Sequence, residues 1–80
     1  MIEIELRLYA TLRRFRPEAP LEGGETVLLP AGSTVLALMA GLGIPADEVQ
    51  TAFINRKVRA VEQKLHAGDR VDLFPVIAGG

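Results

Sequence analysis

The start of the chain alternates between apolar and polar side chains. A period of two predicts a β-strand over residues 2–10, because successive side chains of a strand point to opposite faces. The apolar face holds Ile2, Ile4, Leu6 and Leu8, and the polar face holds Glu3, Glu5, Arg7 and Tyr9. Residues 13–24 are rich in Arg, Pro and Gly, which predicts a loop leading into a second strand near residues 25–29. We expect the two strands to pair as a hairpin with a long connection.

One segment has the helical period. Its apolar residues recur at positions i, i+3, i+4 and i+7, namely Val35, Leu38, Met39 and Leu42. Ser33 or Thr34 can accept the free amide hydrogens of the first turn. Gly43 supplies the left-handed stop, Ile44 can pack back on the last turn, and Pro45 prevents continuation. We therefore expect an amphipathic helix of about three turns.

Short apolar runs in the last third of the chain predict three more strands. They cover residues 52–54, 58–61 and 71–74, and turn-like residues separate them at 55–57 and 66–69. The order β-β-α-β-β-β predicts an α+β fold. In that fold one main helix packs across a four- or five-stranded mixed sheet.

Composition narrows the classes of function. The chain has 80 residues, 49% of them hydrophobic and 24% charged, which fits one small domain without an enclosed substrate pocket. A net charge of -1 argues against a nucleic-acid partner. The absence of cysteine excludes a disulfide framework and a thiolate metal site. The acidic amino-terminal stretch is unlike a secretory signal and no segment reaches transmembrane length, so we expect a cytoplasmic protein without a membrane partner.

The end of the chain is the candidate functional segment. Residues 74–79 carry no charged side chain, and the last two residues are glycines. Pro75 holds the preceding backbone extended and removes one amide donor from the sheet. We therefore expect a folded domain at residues 1–75 and a flexible tail at residues 76–80. Because glycine has no Cβ, the tip of such a tail can pass through a channel too narrow for other residues.

Four segments of the sequence, in this order and spacing, are characteristic of a known family. They are residues 6–13 (Leu-Arg-Leu-Tyr-Ala-Thr-Leu-Arg), residues 32–35 (Gly-Ser-Thr-Val), Leu65 with residues 68–71 (Gly-Asp-Arg-Val), and Phe74 and Pro75 before the terminal glycines. Through them almost the whole chain resembles the MoaD/ThiS sulfur carriers, which are ubiquitin-like β-grasp proteins. The first and last segments look more like MoaD, the small subunit of molybdopterin synthase. Two positions depart from the pattern: Val76 stands where MoaD often has a second proline, and Arg56 where the family often has a glycine.

The resemblance implies a chemistry for the tail. An activating enzyme of the MoeB/ThiF type would use ATP to join the Gly80 carboxylate to AMP, and a sulfur donor would displace AMP to leave a thiocarboxylate. Gly79 and Ala78 would thread the partner's active site. The sulfur would pass to a MoaE-like large subunit of molybdopterin synthase or to another acceptor. The chain itself would bind no cofactor tightly, hold no metal and supply no catalytic side chain, acting as the small subunit or sulfur-donating co-substrate.

Phe74 is the candidate anchor at the base of the tail. Strand alternation places it on the face opposite Val71 and Leu73. An exposed contact for a partner and burial under the helix or an edge loop are both consistent with this position. The predicted partner contacts are Phe74, Pro75, Val76 and Ile77.

Other notable side chains have simpler explanations. His66 stands alone in a polar turn and is predicted to be a surface residue. The arginines of residues 13–16 are predicted to lie in a solvated loop. Asp72 and the acids of the first strand fit a solvent-facing strand surface rather than a metal site. Phe15 and Phe53 are candidates for the core.

Two alternatives stay open at this stage. Within the same fold, the chain could be a ThiS-like sulfur donor for thiamin or a protein modifier that forms an amide with a lysine. In a different class, it could be a β-grasp interaction domain without tail chemistry. For that domain the C-terminus would be dispensable.

Overall fold

Five strands and one α-helix make up the part of the chain that the structure, a computed structural model, describes, namely residues 1–20 and 22–76. In chain order they are β1 (Ile2–Leu8), β2 (Glu25–Leu29), α1 (Val35–Leu42), β3 (Val49–Ile54), β4 (Lys57–Arg59) and β5 (Arg70–Pro75). Two short 3-10 helices, Ala10–Phe15 and Ala46–Glu48, lie in the connections.

The strands form one mixed sheet in the order β2-β1-β5-β3-β4. β1 and β5 lie side by side at its centre and run parallel, whereas the other neighbouring pairs are antiparallel. In the parallel pair Leu6 lies opposite Val71, and Leu8 lies opposite Leu73. The predicted α+β architecture is confirmed, with five strands, and so is the hairpin between the first two.

The hydrophobic core lies between α1 and one face of the sheet. The buried residues of the sheet are Ile4, Leu6, Leu8, Ala52, Ile54, Val71 and Leu73, and those of α1 are Val35, Leu38 and Met39. Each large aliphatic side chain contributes roughly 1.5–3 kcal/mol when it is fully buried. The alternation of β1 therefore has the predicted orientation, with its apolar side chains toward the helix and its polar side chains on the open face.

Local signals at both ends explain the bounds of α1. The Thr34 hydroxyl oxygen accepts a hydrogen bond from the Ala37 amide at 3.1 Å. At the other end Gly43 has a φ of 75°, and the Ile44 amide donates to the Met39 carbonyl at 2.9 Å. The predicted helix over residues 35–42 is confirmed at both ends.

The connection between β1 and β2 differs from its prediction. A strand was expected to continue to residue 10 and a loop to cover residues 13–24, but β1 ends at Leu8 and the chain forms the 3-10 helix Ala10–Phe15. Leu12 of this helix is completely buried in the core. One apolar residue among arginines and threonine has no periodicity, so the pattern alone gives no sign of its burial.

The later strands are shifted relative to their predicted bounds. β3 begins at Val49 rather than at residue 52, and β4 ends at Arg59 rather than at residue 61. Val61 instead lies beyond β4, where its carbonyl accepts the Leu36 amide at 2.8 Å. This bond ties the segment after β4 to the first turn of α1.

The turn between β3 and β4 holds two residues with positive φ. Asn55 and Arg56 have φ values of 53° and 69°, and Ile54 pairs with Lys57 across them. A two-residue hairpin of this kind favours Asn followed by Gly. The Asn55 side chain supports its own position by accepting the Arg70 amide at 3.0 Å. For Arg56 the Cβ makes the left-handed backbone unfavourable, so this residue is strained.

Replacing Arg56 with glycine should stabilise the fold by about 0.5–1 kcal/mol, because glycine adopts a positive φ without a Cβ clash. The unfolding temperature should rise by several degrees for a domain of this size. Thermal and denaturant unfolding followed by circular dichroism measure both quantities. As the control, Arg59→Gly in the extended β4 strand should destabilise the protein by a similar amount. If the Arg56→Gly variant unfolds at or below the wild-type temperature, the backbone of Arg56 is not strained.

Candidate functional site

The open face of the sheet carries three aromatic rings next to the end of β5. The rings of Tyr9 and Phe74 are stacked, with centroids 4.3 Å apart and planes 7° apart. Phe53 meets Phe74 edge-on, with centroids 5.4 Å apart and planes at 72°. We call Tyr9, Phe53 and Phe74 the aromatic patch. Both ring arrangements are favourable geometries that add stability beyond the area they bury.

Strand pairing explains why these three rings meet. Tyr9 directly follows β1, and its amide donates to the Leu73 carbonyl of β5 at 3.2 Å. On the other side of β5, Thr51 of β3 pairs with Phe74, and Phe53 pairs with Asp72. The side chains at these positions alternate with those that face the core and therefore point to the open face.

A shallow groove of about 240 Å³ lies beside the aromatic patch. Its other lining residues are Arg56, Arg70 and Asp72. The groove therefore combines an apolar wall with two guanidinium groups and a carboxylate. Such a combination suits contact with a partner surface better than enclosure of a small substrate.

Asp72 is the centre of a polar network beneath the patch. Its carboxylate accepts the Tyr9 hydroxyl at 2.6 Å and two Arg70 donors, Nε at 2.8 Å and Nη2 at 2.9 Å. Asp72 is only 4% exposed. Burial alone would raise the pKa of this carboxyl, but hydrogen bonds from Arg70 and Tyr9 and the charges of Arg70 and Arg7 outweigh burial and lower it. The same hydrogen bond raises the pKa of Arg70, so the pair is ionised at neutral pH.

The structure corrects two expectations about these side chains. Asp72 was expected on a solvent-facing surface, but it is buried because Tyr9 and Arg70 cover it. Phe53 was a candidate for the core, but it lies half-buried on the open face. Phe15, the other candidate, is partly buried and packs against the core.

Phe74 fits neither of the two situations weighed from the sequence. It lies on the face opposite Val71 and Leu73, as alternation predicted, yet it is half-buried because Tyr9 and Phe53 pack against it. Tyr9 was placed on the polar face but was not identified as a site residue. Its proximity to Phe74 follows from the parallel pairing of β1 and β5, which local sequence patterns do not reveal.

The predicted tail lies at the edge of the described part of the chain. Pro75 is the last residue of β5 and pairs with Val49, so the proline is part of the sheet. Val76 is 52% exposed, and its amide donates to the Glu48 carbonyl at 3.2 Å. The remaining tail residues named from the sequence, Ile77, Ala78, Gly79 and Gly80, lie outside the described residues.

The other charged candidates are engaged in ordinary surface interactions. Arg14 pairs with Glu48, and Arg16 pairs with Glu25, which lowers the pKa of Glu25. His66 is exposed, as predicted. Among residues 1–20 and 22–76, no group of three or more His, Cys, Asp or Glu side chains could hold a metal ion. No helix in this part of the chain is long and apolar enough to cross a membrane.

Comparison with known families finds a match over nearly the whole chain. The sequence profile of the family described as Mut7-C ubiquitin matches residues 1–79. No curated protein matches the chain at a significant level.

Several solved structures share the fold. Putative molybdopterin converting factor subunit 1 from Pyrococcus furiosus has a TM-score of 0.72 and 16% identity, with 96% of this chain and 100% of that one covered. Small archaeal modifier protein 1 from Haloferax volcanii has a TM-score of 0.72 and 20% identity, again with 96% and 100% covered. A chain in the complex of subunits 1 and 2 of molybdopterin-converting factor from Helicobacter pylori has a TM-score of 0.60 and 18% identity, with 99% and 100% covered. These likenesses establish a ubiquitin-like β-grasp fold of the MoaD type.

Replacing Asp72 with asparagine should remove a stabilisation that depends on pH. Because the pKa of Asp72 is lowered by folding, its contribution is complete above the pKa of the unfolded chain, about 4. The contribution is lost as the pH falls through the folded pKa. At pH 7 the variant should be less stable by about 1–3 kcal/mol, because Arg70 and Tyr9 lose a charged acceptor.

Denaturant unfolding of both proteins between about pH 7 and pH 2 measures this difference. The two curves should converge at the acid end, where wild-type Asp72 is protonated. Glu25 is present in both proteins, so its own titration cancels from the difference. Asp47→Asn, at an exposed position in the 3-10 helix Ala46–Glu48, is the matched control and should have little effect. A stability difference for Asp72→Asn that stays constant across this range contradicts the account.

Proposed function

The chain belongs to the Mut7-C ubiquitin family, and we propose that it is a sulfur carrier whose Gly80 carboxylate is activated by a partner enzyme. The observation that supports this most is the position of the aromatic patch. Phe74 of the patch lies on β5, and the same strand continues directly into the sequence that ends in Gly79 and Gly80. A partner that docks on the patch is therefore close to the start of the tail.

The proposed chemistry uses the C-terminal carboxylate as the reacting group. A carboxylate is a poor electrophile, so the partner first joins a Gly80 oxygen to the α-phosphorus of ATP and releases pyrophosphate. A donor at the oxidation level of sulfide (HS⁻) then attacks the carbonyl carbon, the bond from that carbon to the phosphate oxygen breaks, and AMP leaves. The product is a thiocarboxylate on Gly80. The 80 residues contain no cysteine, so this route supplies a sulfur nucleophile that their side chains lack.

The aromatic patch is the proposed docking surface for the activating enzyme and for the sulfur acceptor. Aromatic side chains are enriched in protein interfaces, where they bury a large area at a small cost in conformational entropy. Phe74, Pro75, Val76 and Ile77 are the proposed contacts at the base of the tail. The network of Asp72 holds the Tyr9 ring in place, which gives the partner a rigid surface.

We propose molybdopterin synthesis as the pathway and a MoaE-like large subunit as the acceptor. Two findings support this choice. The fold is that of a putative molybdopterin converting factor subunit 1, and a similar chain occurs in a complex of subunits 1 and 2 of that factor. In this role ATP is a substrate of the activating enzyme, and the chain acts as a co-substrate rather than as a catalyst. The cytoplasmic location stays a prediction.

Protein modification is the second candidate function. It is favoured by the structural similarity to small archaeal modifier protein 1. Both functions begin with the same activation of Gly80. They differ in the acceptor, which is a lysine amine in the second case.

Changes at the tip of the tail should abolish sulfur loading without affecting the fold. Deleting Gly80, or extending the chain beyond it, moves the C-terminal carboxylate away from the position of the Gly80 carboxylate, and Gly79→Val obstructs a narrow channel and stiffens the backbone. Stability should stay within about 0.5 kcal/mol, because terminal residues make few contacts. Intact-mass spectrometry after incubation with activating enzyme, ATP and a sulfur donor should show a gain of about 16 Da for wild type only. Alkylation distinguishes the thiocarboxylate from methionine oxidation, which gives a similar mass.

A chain without Gly80 that still acquires an alkylatable sulfur contradicts the proposal. The acceptor can be identified in the same system. Trypsin cleaves after Arg70, and residues 71–80 contain no Lys or Arg. A modified lysine would therefore carry the whole remnant of residues 71–80, whereas sulfur transfer to a large subunit would leave no such adduct.

Replacing Phe74 with alanine should weaken docking more than folding. Truncation of an interface anchor lowers affinity by about 2 kcal/mol or more, which is roughly 30-fold. The loss of stability should be smaller than the 3–5 kcal/mol typical of a core Phe→Ala change, because Phe74 is half-buried. Calorimetry with the activating enzyme and thermal unfolding measure the two effects. Leu28→Ala, at an exposed position on β2 of the same sheet face, is the control and should leave affinity unchanged.

Unchanged affinity for the Phe74→Ala protein would show that the patch is not the docking surface. A fall in unfolding temperature as large as that of a core Phe→Ala variant would instead show that Phe74 serves mainly to stabilise the fold.

A further inference from the structure

Arg56 lies at the rim of the groove beside the aromatic patch. We propose that Arg56 is a specificity-determining residue of the docking surface, where its guanidinium pairs with a carboxylate on the activating enzyme. This inference rests on the proposed function, because it names the chemistry of the partner at the same site.

The backbone of Arg56 points to a role for its side chain. Its φ of 69° is unfavourable for a residue with a Cβ, and glycine would fit the turn without this penalty. The backbone conformation therefore gives no reason for an arginine at this position. Strain that the fold does not require points to a role for the side chain.

The guanidinium of Arg56 has no bonding partner among the described residues. The other arginine that lines the groove, Arg70, directs two donors to Asp72. Arg7, on the same sheet face, pairs with Glu5. Within residues 1–20 and 22–76, Arg56 makes no side-chain hydrogen bond and no ion pair, and it is exposed. Its donors are available to a group from outside the chain.

The segment that contains Arg56 carries mostly positive charge. Between residues 56 and 64 four side chains are cationic and one is acidic: Arg56, Lys57, Arg59 and Lys64 against Glu62. All five are exposed. Lys57 and Arg59 pair with Ile54 and Ala52 of the core face and line a separate groove together with Lys64, so among these cations Arg56 alone lines the groove beside the aromatic patch. The other three add positive potential at this edge from a greater distance. The cation best suited to a carboxylate at the border of an apolar contact is arginine, because it donates in a planar fork and is weakly hydrated.

The aromatic geometry favours a protein partner over a nucleic acid. Single-stranded nucleic acids bind by stacking their bases on free aromatic faces. Here the Tyr9 and Phe74 rings already stack on one another, and Phe53 packs its edge against Phe74. The net charge of -1 gives no general attraction for phosphates. An apolar protein surface with an acidic rim fits this arrangement.

The test combines stability and affinity for three variants of Arg56. Arg56→Gly should raise the unfolding temperature and at the same time weaken binding to the activating enzyme by about tenfold, as for the loss of one charged contact. Arg56→Lys should retain part of the affinity, because it keeps the charge but not the planar fork. Arg56→Glu should bind most weakly, and the salt dependence of its binding should be smaller than that of wild type. Calorimetry at low and at physiological salt gives these values.

Arg59→Ala is the matched control, since it removes a cation from the same edge but outside the groove lining. It should change affinity by less than about threefold. An amide NMR spectrum of each variant verifies that the fold is intact.

The outcomes separate this inference from the function on which it rests. If wild type binds the activating enzyme and Arg56→Gly binds equally tightly, Arg56 has no role in specificity. If wild type fails to bind or to be loaded with sulfur, the proposed function itself is wrong. If a single-stranded RNA oligonucleotide binds wild type but not Arg56→Glu, while enzyme binding is unchanged, the residue serves a nucleic acid and the inference is overturned.

Discussion

The parallel pairing of β1 with β5 is the constraint on which the rest of the structure depends. It joins the two ends of the domain at the centre of the sheet, with Leu6 beside Val71 and Leu8 beside Leu73. On one face these side chains form the floor under α1. On the other face the same register places Tyr9 against Phe74. The core and the candidate site are therefore two sides of one strand pair, and a change of register would disrupt both.

The polar network of Asp72 links the site to the fold. A buried carboxylate is unfavourable unless it is paired and hydrogen-bonded. Here Arg70 supplies two donors and Tyr9 supplies one. The network satisfies the charge and holds the Tyr9 ring against Phe74. Because these hydrogen bonds and ring contacts already order the patch in the free protein, its side chains lose less conformational entropy when a partner binds there.

The sequence predicted the parts of the structure that local signals control. The bounds of α1 were predicted because Thr34 and Gly43 act within one turn of the helix, and the faces of β1 were predicted because alternation is local. The burial of Leu12 and Asp72 was missed, since Leu12 packs into a core built from distant segments and Asp72 is covered in part by Tyr9, 63 residues away. The contact between Tyr9 and Phe74 likewise needs the strand register. The turn at residues 55–57 was predicted, but the left-handed backbone of Arg56 was not, because an arginine carries no signal for it.

The central claim is that the open face of the sheet, and not the helix face, receives the partner. Amide NMR of the isotope-labelled chain, titrated with the activating enzyme, tests this most directly. The account predicts that shift changes and line broadening concentrate at Tyr9, Phe53, Arg56 and Phe74 and in the residues after β5. Changes centred on the exposed side of α1, at Leu36, Ala37 and Ala40, would contradict it.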